Sequence, residues 1–77
     1  MDENELAACV RRVLTQYFKD LDGENPASVY EMVLNCVELP VLEVVLDKAA
    51  GNQSRAAEML GINRNTLRKK MQQHGIK

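Results

Sequence analysis

Leu6, Val10, Val13, Leu14, Tyr17, Phe18 and Leu21 recur at steps of three, four and one along the first part of the chain. That spacing puts them in one stripe of an α-helix and predicts a first helix over about 5–21. The next stretch, Asp22-Gly23-Glu24-Asn25-Pro26-Ala27, has turn composition throughout. It leads into Ser28-x-x-Glu31, which reads as a capping box opening a second helix. Val29, Met32, Val33, Cys36 and Val37 share one face of that helix, and Pro40, which lacks a backbone donor, is expected to kink it. Beyond Pro40, the residues Val41, Leu42, Val44, Val45 and Leu46, together with Leu39 just before it, are apolar nearly all round. Such a helix is buried on every side, and 77 residues are too few to surround it alone. A second copy of the chain is the simplest cover.

Gly51 is expected at a helix C-terminal position and Asn52 as the cap of a third helix, Gln53 to Leu60. The order Leu60-Gly61-Ile62-Asn63 gives a glycine-containing turn and a new cap at Asn63. A fourth helix then runs to about His74, with Gly75 left-handed and Ile76 folding back on Met71. No strand-like alternation, repeat or low-complexity segment interrupts this order. The predicted fold is all-α, with residues 1–50 as dimerisation helices and 51–77 as a helix-turn-helix in a single compact domain.

Charge sharpens the division. The net charge is only -1, yet residues 1–50 carry -6 and residues 51–77 carry +5. A contrast of that size across a small chain favours a polyanion on the C-terminal face. Cys9 and Cys36 sit inside apolar helical patterns rather than at a Cys-x-x-Cys spacing, so they read as small buried hydrophobes in a reducing compartment. The acidic opening Asp2, Glu3, Glu5 is the reverse of a secretory signal, and no apolar run is long enough to span a bilayer. A cytoplasmic protein with no membrane partner is expected.

The segment from Gln53 to Met71 meets the physical requirements of a helix-turn-helix. Ala56 and Ala57 are small enough for two helices to cross closely, and Gly61 gives the turn its backbone freedom. Ile62, Leu67 and Met71 are expected to lock the second helix against Met59 and Leu60. Arg64, Asn65, Arg68, Lys69 and Gln72 are left facing outward. Arginine can donate two parallel bonds to guanine, asparagine can pair with adenine, and lysine neutralises phosphate. Asn52, Ser54 and Arg55 at the start of the first motif helix are placed to contact backbone phosphates. Double-stranded DNA is the partner this pattern implies, against the blander alternative of a two-helix hairpin with a solvated basic face.

Gly51-Asn-Gln-Ser-Arg-Ala-Ala, Met59-Leu-Gly-Ile-Asn-Arg and Thr66-Leu-Arg-Lys-Lys-Met, with Tyr17-Phe18 and Leu39-Pro40 upstream, resemble the Fis nucleoid-associated proteins over nearly the whole chain. These share a DNA-binding fold with the C-terminal domains of NtrC-type activators. The resemblance implies an intertwined homodimer whose core is built by the first two helices, with closely spaced recognition helices that bend DNA through few base contacts in the nucleoid. It also implies that Asn63 and Arg64 read bases, while Asn52, Ser54, Arg55, Thr66, Arg68, Lys69 and Lys70 mainly hold phosphates. Two departures stand out. Gln72 and Gln73 occupy positions where the family commonly has further lysines, which implies weaker flanking phosphate contacts. Longer family members carry an N-terminal β-hairpin arm that touches site-specific recombinases, and because this chain starts close to its first helix no recombinase contact is expected.

Other chemistry finds little footing. His74 is the only histidine, and at the end of a cationic helix it reads as a C-terminal cap or phosphate contact rather than as part of a triad or metal site. Asp20, Asp22 and Glu24 lack the spacing of a cation loop. Met32, Met59 and Met71 read as core, and Tyr17 and Phe18 as packing residues of the first helix. No cofactor, metal or catalytic constellation is expected, so the chain is not read as an enzyme. The leading reading is a DNA-bending nucleoid organiser and transcriptional regulator of low sequence specificity. Its rivals are the DNA-binding domain of an NtrC-type activator and, from a different class, a helical adaptor for another protein.

Overall fold

The computed structural model of the chain describes residues 3–77; Met1 and Asp2, part of the acidic opening, lie outside the described residues. Four helices follow one another: α1 (Glu3–Leu21), α2 (Val29–Lys48), α3 (Gln53–Leu60) and α4 (Arg64–Gln73). No strand forms among the described residues. The all-α class and the helix count are those predicted from the apolar spacing. Helix α1 starts slightly before its apolar stripe, with Glu5 putting a negative charge near the positive end of the helix dipole.

The capping box expected at Ser28 does not form. Ser28 adopts φ 55° and ψ 37°, in the left-handed region, and its side chain makes no capping bond. A left-handed residue at this position lacks the extended backbone that a serine cap needs. Only the Ser28 carbonyl serves the helix, accepting from the Met32 amide at 3.0 Å. Helix α2 then continues through Pro40 as one element of 20 residues, the expected cost being the hydrogen bond that the Cys36 carbonyl would otherwise accept.

The last three helices are tied off by one device. In each, the first or second residue past the helix takes a left-handed conformation and the next amide reaches back along the chain. The Gly51 amide donates to the Leu46 carbonyl at 3.0 Å, Ile62 to Ala57 at 3.0 Å, and Ile76 to Met71 at 2.8 Å. The left-handed residues are Ala50, Gly61 and Gly75. At the end of α2 it is therefore Ala50 that takes the position expected of Gly51, at a backbone cost of about 1 kcal/mol that glycine escapes. Asn52 and Asn63 cap α3 and α4 as predicted, their side-chain oxygens accepting from the amides of Arg55 at 3.1 Å and Asn65 at 2.7 Å.

The core is small and lies at one end of the molecule. Leu42 and Ala49 from α2 and its end meet Ala56 and Ala57 of α3 and Leu67 and Met71 of α4, all buried. Val45, Leu46, Leu60, Ile62 and Ile76 pack around them. Ala56, 0% exposed, and Leu67, also 0% exposed, mark the close helix crossing that the small residues were expected to allow. Met59 departs from expectation: it is 49% exposed, on the side of α3 turned away from this cluster.

Helix α1 contributes no described residue to the buried set. Its stripe and the facing side of α2 instead border an open apolar groove of about 320 Å³, lined by Val10, Val13, Leu14, Tyr17, Val33 and Val37 among others. Cys9 and Cys36, expected to be buried, are exposed free thiols on this groove, and Phe18 is half exposed. The radius of gyration is 15.1 Å, well above the roughly 11–12 Å of a compact chain of this length. A single chain therefore leaves the apolar face of its first half open to water.

Candidate nucleic-acid interface

Leu67 and Met71 pin α4 to the core, and a step of about 100° per residue fixes the direction of every other side chain on that helix. Asn65, Lys69 and Gln72 lie on the opposite side, flanked by Arg64 and Arg68 on one edge and by Lys70 and Gln73 on the other. Arg64, Asn65, Thr66, Arg68 and Lys69 are all exposed, whereas Lys70 is half-buried. From α3 and its entry, Asn52, Ser54 and Arg55 are also exposed.

Among the described residues, ion pairs join only Glu38 to Lys70 and to His74. Arg55, Arg64, Arg68 and Lys69 thus carry uncompensated charge, and Glu58 is the only acid in residues 51–77. The first turns of α3 and α4 add unsatisfied amides and the positive end of each helix dipole, so the surface is suited to phosphate.

The caps limit what the two asparagines can read. The Asn63 oxygen is committed to the Asn65 amide at 2.7 Å and the Asn52 oxygen to the Arg55 amide at 3.1 Å. Each keeps a free amino group, which donates. Pairing with an adenine edge needs a donor and an acceptor together, and while Asn63 caps α4 only one lone pair of its oxygen remains beside the amino group. Arg64 has no such commitment.

Glu38 and Asn35, both on α2, were not singled out in the sequence. Lys70 Nζ donates to Glu38 Oε2 at 2.7 Å, His74 Nε2 lies 2.8 Å from Glu38 Oε1, and Gln73 Nε2 donates to Asn35 Oδ1 at 3.0 Å. His74 does terminate α4 through its backbone, but its ring turns inward to Glu38, which takes it away from phosphate. The available signal was an acid between Val37 and Leu39 in an otherwise apolar run.

The hydrogen bond from Lys70, and after it that from His74, hold the Glu38 carboxyl below its ordinary value of 4.5, against partial burial that pushes the other way. A carboxyl depressed on folding stabilises the fold fully above its unfolded value and loses that contribution as pH falls through the folded one. The melting temperature should therefore fall less steeply in Glu38→Gln than in the wild type as pH is lowered from about 6. Parallel acid limbs would show that Glu38 is unpaired in solution.

No helix of the described residues is long and apolar enough to cross a membrane. Within those residues no group of three or more His, Cys, Asp or Glu side chains is placed to hold a metal ion.

Comparison with known proteins agrees with this geometry. The family model described as bacterial regulatory protein, Fis family, matches residues 34–74, from the middle of α2 to the end of α4. A Fis-like DNA-binding protein of Ralstonia nicotianae is 58% identical over 76 residues, 99% of both chains. Fis-like DNA-binding proteins of Neisseria meningitidis serogroups A and B are each 56% identical over 72 residues, 94% of this chain and 91% of theirs. By a match that covers more than half of its length and relatives that align almost end to end, the chain belongs to the Fis family of bacterial regulatory proteins, a family of non-enzymatic regulators.

Proposed function

We propose that the chain is a dimeric DNA-binding and DNA-bending regulator that organises the nucleoid with low sequence specificity. The observation that carries this reading is the outer face of α4, where Arg64, Arg68 and Lys69 are exposed and unpaired on a helix anchored by Leu67 and Met71. DNA binding also stands in the names of the relatives. The second element, dimerisation, is supported by the apolar groove between α1 and α2. In a dimer whose two α4 helices face one side of the assembly, bending follows where their separation is less than a turn of DNA, about 34 Å. A protein acting on DNA in this way would work in the cytoplasm, at the nucleoid.

Within the interface, Arg64 reads bases. Asn52, Ser54, Arg55, Thr66, Arg68 and Lys69 hold phosphates, and Asn63 and Asn65 contribute donors at the entry to α4. Binding to duplexes of matched and scrambled sequence tests the division. Arg64→Ala should cost about 1 to 3 kcal/mol on the preferred site and flatten the preference, whereas Lys69→Ala should weaken both duplexes alike. Equal loss of preference in the two variants would remove the assignment of Arg64. Permuted-site gel shifts test bending, and mobility independent of site position would overturn it.

A further inference from the structure

Glu38 lies outside the helix-turn-helix, yet through it α2 reaches the far end of α4. Lys70, Gln73 and His74 stand at steps of three and four on one edge of α4, and Asn35 and Glu38 at a step of three on α2. The two edges meet in the contacts of 2.7, 2.8 and 3.0 Å described above. The His74 side chain is only 8% exposed, Glu38 24% and Lys70 33%.

We infer that Glu38 is a positioning residue for DNA binding: it withholds Lys70 from phosphate and ties the last turn of α4 to α2. The inference rests on the DNA-binding reading above. A carboxylate and a phosphate compete for the same ammonium, and the carboxylate is already in place, partly shielded from salt and held there by the packing of α2 against α3. A phosphate must break the pair before it can gain Lys70. Arg68 and Lys69 stay available, on the side of α4 away from α2. Sequence-independent attraction is reduced by one contact per subunit, and a larger share of the affinity is left to base contacts.

The test uses the full chain, a preferred duplex and a scrambled duplex, with binding constants measured across a range of salt. Glu38→Gln keeps the side-chain size and removes the charge. It should steepen the dependence of log K on log salt by about 2, near 0.9 for each freed lysine in a dimer. Its affinity for the scrambled duplex should rise more than that for the preferred one. In E38Q/K70Q the slope should return to the wild-type value. A steep wild-type slope that E38Q leaves unchanged overturns the assignment of Glu38 alone. A flat wild-type slope overturns the DNA-binding reading and this assignment with it. Should E38Q lose its helical circular dichroism, Lys70→Gln and Lys69→Gln decide the matter. The former should flatten the slope far less than the latter, and equal flattening overturns the inference.

Discussion

Val13→Glu should lower the melting temperature by roughly 15 °C or more, since an unpaired buried charge costs on the order of 3 to 5 kcal/mol and each kcal/mol shifts a small domain by about 4 to 8 °C. The size of the effect depends entirely on a second chain. In one copy Val13 is 55% exposed on the open groove, where a glutamate would meet water. There the substitution would stay within about 0.5 kcal/mol and could help, because glutamate is the better helix former. In a dimer closed over the groove, the same carboxylate enters an apolar interface lined by Val10, Leu14, Val33 and Val37 and finds no partner. The two readings thus differ in magnitude and in sign. Thermal melts at several protein concentrations, with sedimentation of wild type and variant, separate them. Unchanged melting in Val13→Glu, or a folded wild-type monomer at micromolar concentration, would overturn the dimer.

What the sequence made legible was mostly local. Asn52, Asn63 and the Gly75-Ile76 pair were placed correctly because a cap is decided within four or five residues, by a side-chain oxygen or a permitted left-handed backbone. Ser28 had the same composition cue and failed, because it sits left-handed and its side chain makes no capping bond. Apolar periodicity identified the sticky face of α1, but periodicity does not say what covers a face. Cys9, Cys36 and Phe18 therefore lie open in a single chain although their positions fit a core. Met59 departs in the same direction for a different reason, an apolar residue on a short helix whose inward side is already filled by Ala56 and Ala57.

Within the candidate interface, the composition of α4 could not distinguish Lys69 from Lys70. Their difference is a matter of about 100° around the helix and of a carboxylate 32 residues away in sequence. A helical wheel puts Lys70 beside the buried edge, but only the folding of α2 against α3 brings Glu38 to it. Exposure of Arg64, Arg68 and Lys69 was legible because Leu67 and Met71 fix the buried side of α4, and that of Arg55 because Ala56 and Ala57 fix the buried side of α3.

Raising salt from about 50 to 200 mM should weaken binding to duplex DNA by roughly a thousandfold. Arg55, Arg68 and Lys69 are exposed and unpaired, and used by both subunits of a dimer they neutralise about six phosphates, for a slope of log K on log salt near -5. Counting every candidate lysine and arginine phosphate contact in the motif would add Lys70, giving about eight contacts and a slope near -7. The wild-type slope therefore measures the interface and the Glu38 pair together. A fourfold rise in salt separates the two counts by roughly one further decade of affinity, well within the resolution of fluorescence anisotropy. The expected wild-type slope is the shallower one, because Lys70 is held 2.7 Å from Glu38. A slope near -7 would mean that phosphate takes Lys70 from the carboxylate on binding, and a slope near zero would favour a helical adaptor for another protein, with the uncompensated charge of α4 facing an acidic surface instead of DNA.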